Sequence, residues 1–480
     1  MKKNYLKLAV TAIAAVISVA SYAQKPQMIY TTESERWITA KKGVTVAPAS
    51  GDADITVYTD KTRQTVDGVG GAFNEMGWDA LQLLPQAEQD KVLKNLFSKE
   101  GCGFSMGRIS VGANDYSLSY YSCCDVKEDF VMRDFNIDRD RYITIPYLKA
   151  AKALNPEIKI WASPWTPPAW MKINEHYSTR GGNWNGRKEG NEMPAGADLF
   201  NNCTGFNMQE RYLQAYALYF SKFAQSYKAE GVPLVAIMPQ NEIAYSPNWP
   251  SCTWRPEDMA YFIGKFMGPQ FEKDGLDTDI WLGTINFANP SYCETVLKDK
   301  NAQKYIKGIG FQWAGERALP KLYEKYPNMK FMQTENKCGE SENDWSSLVR
   351  SWGSIMHYMN NGCESYLYWN MILKSANGMT GKSAWGWPQN SMVVIDEDSK
   401  KVTYTDEFYL FKHFSHFVQP GSQYLESSKG DNHVAFKMVD GRTLVMVYNP
   451  ETEAKTVKIQ IGDKMVTATL QPTSINSITL

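Results

Sequence analysis

The stretch "LVAIMPQNEIAYSP" (residues 234–247) runs from a short apolar segment straight into an amide pair and Glu242. The apolar segment has the length and character of a buried β-strand. A second segment, "KFMQTE" (330–335), also ends in a glutamate, Glu335. A buried carboxylate is unfavourable unless it is paired or takes part in chemistry. Both glutamates are therefore candidate functional residues, and their roles depend on whether the fold brings them together.

Eight apolar runs of this kind recur along the chain, separated by turn residues and helix-like stretches. They are "GVGGAF" (68–73), "FSMGRIS" (104–110), "IKIWAS" (158–163), "LVAIMP" (234–239), "DIWLGT" (279–284), "GIGFQW" (308–313), "KFMQTE" (330–335) and "SYLYWN" (365–370). Eightfold alternation of strand and helix predicts an α/β fold, the (β/α)8 or TIM barrel. The carboxyl ends of the strands meet at one mouth of that barrel. We therefore expect Glu242 and Glu335, after strands 4 and 7, to converge there.

The two ends of the chain have a different pattern, in which apolar and polar residues alternate over 30–65 and 423–480. Such alternation is typical of antiparallel strands with one solvated face. We expect the two ends to form one all-β sandwich beside the barrel. The predicted boundaries are 1–23 for a signal peptide, 24–65 and 414–480 for the sandwich, and 66–413 for the barrel.

The first residues, "MKKNYLKLAVTAIAAVISVASYAQ" (1–24), are typical of a secretory signal. Three lysines precede an apolar run, and Ser21 and Ala23 fit the small-residue rule for cleavage before Gln24. No cysteine follows the apolar run, which argues against a lipid anchor, and the run is short for a membrane span. We predict an exported protein, periplasmic or secreted, that has no membrane anchor.

Charge and composition narrow the possible partners. The chain has 480 residues, with 51 basic and 52 acidic side chains and a formal net charge of −1. Without a basic run there is no electrostatic footprint for nucleic acid, and a neutral substrate fits better. The five histidines are scattered, and no His/Cys spacing is typical of zinc. We predict no metal, no cofactor and no obligate protein partner.

Two carboxylates that face each other at a barrel mouth fit glycoside hydrolysis. One gives a proton to the departing oxygen, and the other attacks the sugar. Asn241, beside Glu242, could bond a sugar hydroxyl, so we assign Glu242 as general acid/base and Glu335 as nucleophile. The alternative is that each glutamate ends its strand in a structural ion pair. For one glutamate alone that alternative is stronger, whereas two at matching strand ends favour catalysis.

Five motifs carry a more specific resemblance. They are "ASPWTPPAWMK" (162–172), "QNE" (240–242), "QTE" (333–335), "YWNMIL" (368–373) and "FSHFVQPGSQ" (414–423). With them the chain resembles glycoside hydrolase family 30, from "VDGVGGAF" near residue 66 to its C-terminus. That family includes glucosylceramidases, β-glucosidases, xylanases and endo-β-1,6-glucanases. The resemblance implies a barrel with a sandwich built from both chain ends, retention of anomeric configuration, and catalysis by Glu242 and Glu335.

The resemblance also implies residues that bind or support the substrate site. Arg108 would hold Glu335 ionised, Asp115 would bond hydroxyls of the glycone, and Trp369 would be a floor for the ring. The full set of predicted substrate-binding residues is Asp115, Trp165, Asn241, Trp313, Trp369, Trp385 and Trp387. The structural alternatives are core tryptophans, a turn-capping aspartate and an arginine in a structural ion pair. One departure is "FQWAG" (311–315), where many relatives have His and Tyr in place of Gln312 and Ala314.

Three functional hypotheses follow from these residues. The favoured one is a secreted, retaining, endo-acting β-1,6-glucanase, because the loop "SAWGWPQNSM" (383–392) resembles that branch of the family. The enzymatic alternative is an exo-acting β-glucosidase, glucosylceramidase or β-xylosidase, which would release only single sugars. The non-enzymatic alternative is a carbohydrate-binding protein on a hydrolase scaffold. The presence of both carboxylates argues against it.

Overall fold

The computed structural model describes residues 26–179, 183–184, 187–188, 193, 202–381, 383, 386–430 and 432–480. The predicted signal peptide (1–23) and Trp385 lie outside the described residues.

Eight parallel strands close into a barrel, as the apolar runs predicted. In chain order, barrel strands 1 to 8 are Gly68–Ala72, Met106–Ser110, Lys159–Ser163, Leu234–Ile237, Asp279–Ile285, Ile306–Gln312, Lys330–Glu335 and Ser365–Asn370. Neighbouring strands pair in parallel, and strand 8 pairs with strand 1 to close the ring. Every strand overlaps the run from which it was predicted.

The barrel interior is filled by side chains from alternate strand positions. One apolar cluster inside it comprises Met106, Trp161, Ala236, Met238, Trp281, Met332 and Leu367. Successive strand residues point to opposite faces, so residues two places further along point inward again. Arg108, Ser163 and Trp369 therefore form the next layer, closer to the carboxyl ends of the strands. This layer is the base of the site described below.

Helices alternate with the barrel strands and cover the barrel. They are Glu75–Leu81, Gln86–Phe97, Asp138–Tyr142, Thr144–Leu154, Glu210–Ala229, Pro256–Phe262, Gly268–Lys273, Ser291–Lys298, Lys300–Tyr305, Leu319–Lys325, Trp345–Asn360 and Asp406–Ser415, with a π-helical turn at Ile263–Met267 and 3-10 turns at Ala169–Met171 and Trp313–Arg317. Local sequence sets several of their ends. Asp344 caps the helix that begins at Trp345 by accepting from the Ser347 N–H at 3.2 Å.

The chain ends form a separate all-β unit, as predicted. Its ten strands are Gln27–Thr31, Ile38–Thr39, Val44–Pro48, Ile55–Thr65, Gln423–Ser427, His433–Lys437, Thr443–Asn449, Lys455–Ile461, Lys464–Leu470 and Ser474–Thr479. Met28 and Ala468, from strands near opposite edges of the sheet, share one apolar core, so the sheet curves onto itself. The strands at 55–65 and 455–461 pair in parallel, although the sequence pattern predicted antiparallel pairing. The domain boundaries given above stay predictions.

A small sheet that the sequence analysis did not predict follows barrel strand 8. Its four strands are Ile372–Ala376, Met379–Thr380, Val393–Asp396 and Val402–Tyr404. The first and third of these pair in parallel, and Trp387 and Gln389, which lie between them in the sequence, line the cavity at the barrel mouth. A two-stranded pair, Asn183–Trp184 with Arg187–Lys188, lies in the loop after barrel strand 3. Among the described helices, none is both long and apolar enough to cross a membrane.

Candidate active site

A buried arginine forms the base of the site. Arg108, on barrel strand 2, is fully buried, with its Cζ 4.3 Å from the centroid of the Trp165 ring. Its Nη1 donates to Oε2 of Glu335 at 2.8 Å. Its Nη2 donates to Oδ1 of Asn241 at 2.6 Å and to Oγ of Ser163 at 3.0 Å. One guanidinium therefore ties the end of barrel strand 7 to the loop after strand 4.

Glu335 accepts hydrogen bonds on both carboxylate oxygens. Besides Arg108, Gln312 Nε2 donates to Oε2 at 3.2 Å and Trp313 Nε1 donates to Oε1 at 3.0 Å. Burial raises the pKa of Glu335, and Arg108, Trp313 and Gln312 oppose that rise because they favour the ionised form. The result is a carboxylate of fixed orientation with a counter-charge, which suits a nucleophile.

Glu242 lies in the loop that follows barrel strand 4. Its φ is 50°, in the left-handed region, which costs a non-glycine residue about 1–2 kcal/mol. The Glu242 N–H donates to Thr284 Oγ1 at 3.0 Å, and the Ala244 N–H donates to Asn286 Oδ1 at 3.1 Å. Barrel strand 5 and the residue after it thus hold a strained turn in place. The partly buried Glu242 side chain lines the same cavity as Glu335.

A single amide links Glu335 to Asn241, the neighbour of Glu242. Gln312 Nε2 donates to Glu335 Oε2 at 3.2 Å and to Asn241 Oδ1 at 3.2 Å, so both of its N–H groups are occupied. Its Oε1 is occupied by the Thr334 hydroxyl, which donates at 2.8 Å. Gln312 is the residue at which many relatives were expected to have His, so in this chain a neutral side chain contacts Glu335. Glu242 and Glu335 line one cavity, so the two carboxyl groups converge at the barrel mouth, as the sequence predicted.

The surroundings of the two carboxyl groups separate their protonation. Burial, then the carboxylates of Glu335 and Asp115, raise the pKa of Glu242 well above its ordinary value. Glu242 has no direct ion pair among the described residues, whereas Glu335 has Arg108. These surroundings favour the proton on Glu242 and the negative charge on Glu335, the division that an acid and a nucleophile would need. Burial, then Glu335, raises the pKa of Asp115 to about 8.

Asn241 and Asp115, on the cavity wall, each keep a polar atom that has no hydrogen-bond partner among the described residues. Asn241 Oδ1 accepts from Arg108, from Thr284 Oγ1 at 3.0 Å and from Gln312 Nε2 at 3.2 Å. Because a guanidinium can only donate, the amide cannot be reversed, and its Nδ2 is left for a ligand. Asp115 Oδ1 is buried with no hydrogen-bond partner among the described residues. Both groups suit the hydroxyls of a sugar.

The cavity at the barrel mouth has a volume of about 340 Å³, within the range typical of small-molecule sites. It is lined by Asp115, Trp165, Asn241, Glu242, Ala244, Tyr245, Trp249, Asn286, Trp313, Glu335, Trp387 and Gln389. The structure thus brings together both predicted catalytic residues and most of the predicted substrate-binding residues.

Trp369 is not among the residues that line the cavity, although it packs against one of them, and its role as a floor for the sugar ring stays a prediction. It is 2% exposed and stacks on Trp165, with ring centroids 5.1 Å apart. Trp369 belongs to the layer of Arg108 inside the barrel, and Trp165, which is equally buried, lines the cavity. The stacking therefore lets Trp369 support the ring of Trp165.

Sequence reasoning missed four polar or aromatic residues of the wall, namely Tyr245, Trp249, Asn286 and Gln389. Two of them extend a row of rings along one side of the cavity. Trp249 lies 6.0 Å from Tyr245 and 6.2 Å from Trp387, and Trp387 lies 6.0 Å from Trp313, between ring centroids. Tyr245 and Trp249 could have been found from their place in "EIAYSPNW" (242–249), directly after the acid.

Among the described residues, no group of three or more His, Cys, Asp or Glu side chains could hold a metal ion. The polar groups of the cavity are instead carboxyl groups, amides and aromatic rings. These groups bind neutral hydroxylated ligands through hydrogen bonds and ring stacking.

Comparison with known proteins agrees with this geometry. Residues 66–418 match the family model of the glycosyl hydrolase family 30 TIM-barrel domain. The chain is 27% identical over 424 residues to putative glucosylceramidase 1 of Caenorhabditis elegans, covering 83% of this chain and 76% of that protein. It is 26% identical over 407 residues to endo-1,6-beta-D-glucanase neg1 of Aspergillus fumigatus, covering 81% and 79%. The solved structure of the endo-beta1,6-glucanase BT3312 superposes with a TM-score of 0.79 at 26% identity, covering 95% of this chain and 98% of that one. The chain therefore belongs to glycosyl hydrolase family 30 and is a glycoside hydrolase.

Proposed function

We propose that the protein is an exported, retaining β-glycosidase that cleaves β-1,6-linked glucan, with Glu242 as general acid/base and Glu335 as nucleophile. The observation that carries this proposal is that two carboxyl groups of unlike environment, Glu335 paired with Arg108 and Glu242 without an ion pair among the described residues, line one cavity. A retaining enzyme needs its two carboxyl groups about 5–5.5 Å apart, so that both can reach one anomeric carbon.

In the first step, a Glu335 carboxylate oxygen attacks the anomeric carbon from the face opposite the departing group. Glu242 gives its proton to the glycosidic oxygen, so the C–O bond breaks and a neutral alcohol leaves. The product is a glycosyl ester of Glu335. Loss of charge on Glu335 then removes one reason for the raised pKa of Glu242, which lowers that pKa once its proton has been given up.

In the second step, ionised Glu242 takes a proton from water as that water attacks the anomeric carbon. The ester bond to Glu335 breaks, and the carboxylate returns to its hydrogen bonds with Arg108 and Trp313. Two displacements restore the original anomeric configuration. Asn241 Nδ2 and Asp115 would hold hydroxyls of the reacting sugar throughout.

Two observations favour β-1,6-glucan as the substrate. Among the relatives, neg1 and BT3312 are both named endo-1,6-glucanases. The row of rings from Trp313 to Tyr245 leads away from the carboxyl groups, and Tyr245 is 50% exposed. Aromatic faces of this kind can stack on the apolar faces of further sugar units, which an endo-acting enzyme needs.

The second candidate is an exo-acting glucosidase of the glucosylceramidase type. The relative in Caenorhabditis elegans is named a putative glucosylceramidase, and an aromatic rim can also cover an apolar aglycone. This reading predicts release of single glucose units only.

The test is digestion of pustulan, a β-1,6-glucan, with β-1,3-glucan, xylan and glucosylceramide in parallel. We expect a ladder of β-1,6-linked oligosaccharides from pustulan alone. Glu335→Gln and Glu242→Gln should each lose nearly all turnover while remaining folded. Glucose as the sole product supports the exo-acting candidate. Unchanged turnover in Glu335→Gln contradicts the assignment of the nucleophile.

Export is the part of the proposal that rests on residues 1–23 alone. If those residues are a signal peptide, the protein recovered from the cell envelope or medium should begin at Gln24. Recovery of the intact chain from the cytoplasm would contradict export without affecting the catalytic assignment.

A further inference from the structure

Four buried side-chain amides form a continuous hydrogen-bonded row that ends at the cavity. Asn114 Nδ2 donates to Asn74 Oδ1 at 3.0 Å, and Asn74 Nδ2 donates to Asn370 Oδ1 at 2.8 Å. Asn370 Nδ2 donates to Gln389 Oε1 at 2.6 Å. All four residues are at most 5% exposed, and among them only Gln389 lines the cavity. We call this row the amide relay.

The direction of the relay is fixed at its far end. Asn114 Oδ1 accepts from the backbone N–H of Tyr116 at 2.8 Å. A backbone N–H can only donate, so the oxygen of Asn114 must face it and the amino group must face Asn74. Each following amide is then oriented by the one before it, which removes the usual ambiguity between the nitrogen and oxygen of a side-chain amide.

The amide relay determines which atom of the Gln389 side chain is available to a ligand. Its oxygen is occupied by Asn370, and its backbone N–H donates to the carbonyl of Thr380 at 3.1 Å. Its amino group therefore remains available to donate to a ligand in the cavity, since no described residue accepts from it. Hydrogen bonds in a row polarise one another, so an amide whose oxygen already accepts is a better donor.

We propose that Gln389 is a sugar-binding residue whose amino group donates to one hydroxyl of the sugar in the cavity, with the amide relay as its positioning device. This inference rests on the proposed glycosidase function and adds a specificity contact to it. Asn241 Nδ2 and Gln389 Nε2 are donors, and Asp115 Oδ1 is an unpaired polar atom on the same wall. A ligand that satisfies all three carries several hydroxyls and no charge.

The test uses Gln389→Met, which keeps the side-chain length and removes the donor. The substrates are the smallest chromogenic β-glycoside that the parent cleaves and its singly deoxygenated forms. We expect kcat/KM for the full substrate to fall about 10- to 100-fold, the usual effect of losing one buried hydrogen bond. For one of the deoxygenated substrates, kcat/KM of the parent and of the variant should differ by less than about threefold, because that substrate lacks the hydroxyl that Gln389 binds.

A structural role alone would lower kcat/KM in the same proportion for every substrate, and that outcome would overturn the proposal. The matched control is Gln64→Met, which removes a half-buried amide in the β-sandwich that donates to the carbonyl of Met359. We expect this control to leave kcat/KM unchanged for all substrates.

The relay itself is tested with Asn74→Leu, alone and combined with Gln389→Met. Asn74→Leu should lower kcat/KM in the parent and have little further effect when Gln389 is already replaced. Losses that simply multiply would overturn the relay. If the parent cleaves glycosides and Gln389→Met has the same kcat/KM on every substrate, only this inference is contradicted. A parent with no glycosidase activity contradicts the proposed function itself.

Discussion

The indole Nε1 of Trp313 donates to Oε1 of Glu335 at 3.0 Å. Trp313 also lines the cavity and begins the row of rings that leads to Tyr245. One side chain therefore orients the attacking carboxylate and forms part of the sugar-binding wall. Its hydrogen bond lies in the corner where many relatives were expected to have a tyrosine at position 314.

Replacement of Trp313 by Phe should move the acidic side of the pH profile. Without the indole N–H the ionised form of Glu335 loses a donor, so its pKa rises and activity is lost at a higher pH on acidification. We expect kcat/KM at the optimum to fall about tenfold, the effect of one hydrogen bond to a charged group. Trp387→Phe is the control, since Trp387 has no hydrogen bond to Glu335 among the described residues. An unshifted acidic side in Trp313→Phe would contradict the role given to this bond.

Arg108→Lys should lower kcat/KM about 100-fold or more, comparable to the loss of a transition-state donor in other enzymes. A lysine cannot reproduce the fork that joins Glu335, Asn241 and Ser163. The acidic side of the profile should again move to higher pH. Arg36→Lys, at a partly buried pair with Asp406, is the control for the general effect of this change. Equal activities of the two variants would show that Arg108 is merely structural.

Glu242→Gln should stabilise the protein more at high pH than at low pH. The pKa of Glu242 is raised by burial and by its acidic neighbours, so its contribution to folding is favourable at low pH and is lost as pH rises through the folded-state pKa. Glutamine mimics the protonated form at every pH. The unfolding midpoint of the variant should match the parent near pH 5 and exceed it by about 4 °C or more near pH 9.

The control for this comparison is Glu210→Gln on the surface. Lys265 lowers the pKa of Glu210, so this glutamate is ionised from pH 5 to 9. The unfolding midpoint of Glu210→Gln should therefore differ from that of the parent by the same amount at every pH in this range. A pH-independent difference for Glu242→Gln would show that Glu242 is ionised in the free enzyme.

Trp249→Ala should affect long substrates more than short ones. Trp249 lies in the middle of the row of rings, between Tyr245 and Trp387. If sugar units beyond the reacting one stack there, kcat/KM for β-1,6-linked oligosaccharides should fall about tenfold, with a smaller effect on a short chromogenic glycoside. Equal losses on both substrates would contradict a role in binding the extended chain.

The barrel could be predicted from the sequence because its strands are buried on both faces and read as short apolar runs. The convergence of Glu242 and Glu335 followed from strand order alone, since the carboxyl ends of barrel strands share one mouth. The small sheet after barrel strand 8 was missed because its strands, such as "ILKSA" (372–376), are brief and lack clear alternation. The parallel pairing in the β-sandwich was missed because strand periodicity does not encode the direction of the neighbour.

Side-chain roles were harder to predict than strand positions. Trp165 and Trp369 looked equivalent in the sequence and are equally buried in the structure, and only the shape of the cavity shows that Trp165 lines it. Gln389 was missed because its orientation depends on amides from three separate strand ends. Such long-range hydrogen bonds leave no periodic signal in the chain.

The most direct test is to trap and locate the covalent intermediate. An activated 2-deoxy-2-fluoro β-glycoside slows hydrolysis of the glycosyl ester, and peptide mass mapping then identifies the labelled carboxylate. We predict one fluorosugar per chain, attached to Glu335. The labelled intermediate should accumulate faster in the parent than in Arg108→Lys. A label on Glu242, or hydrolysis of the natural substrate with inversion and no adduct, would contradict the proposed pairing of the two glutamates.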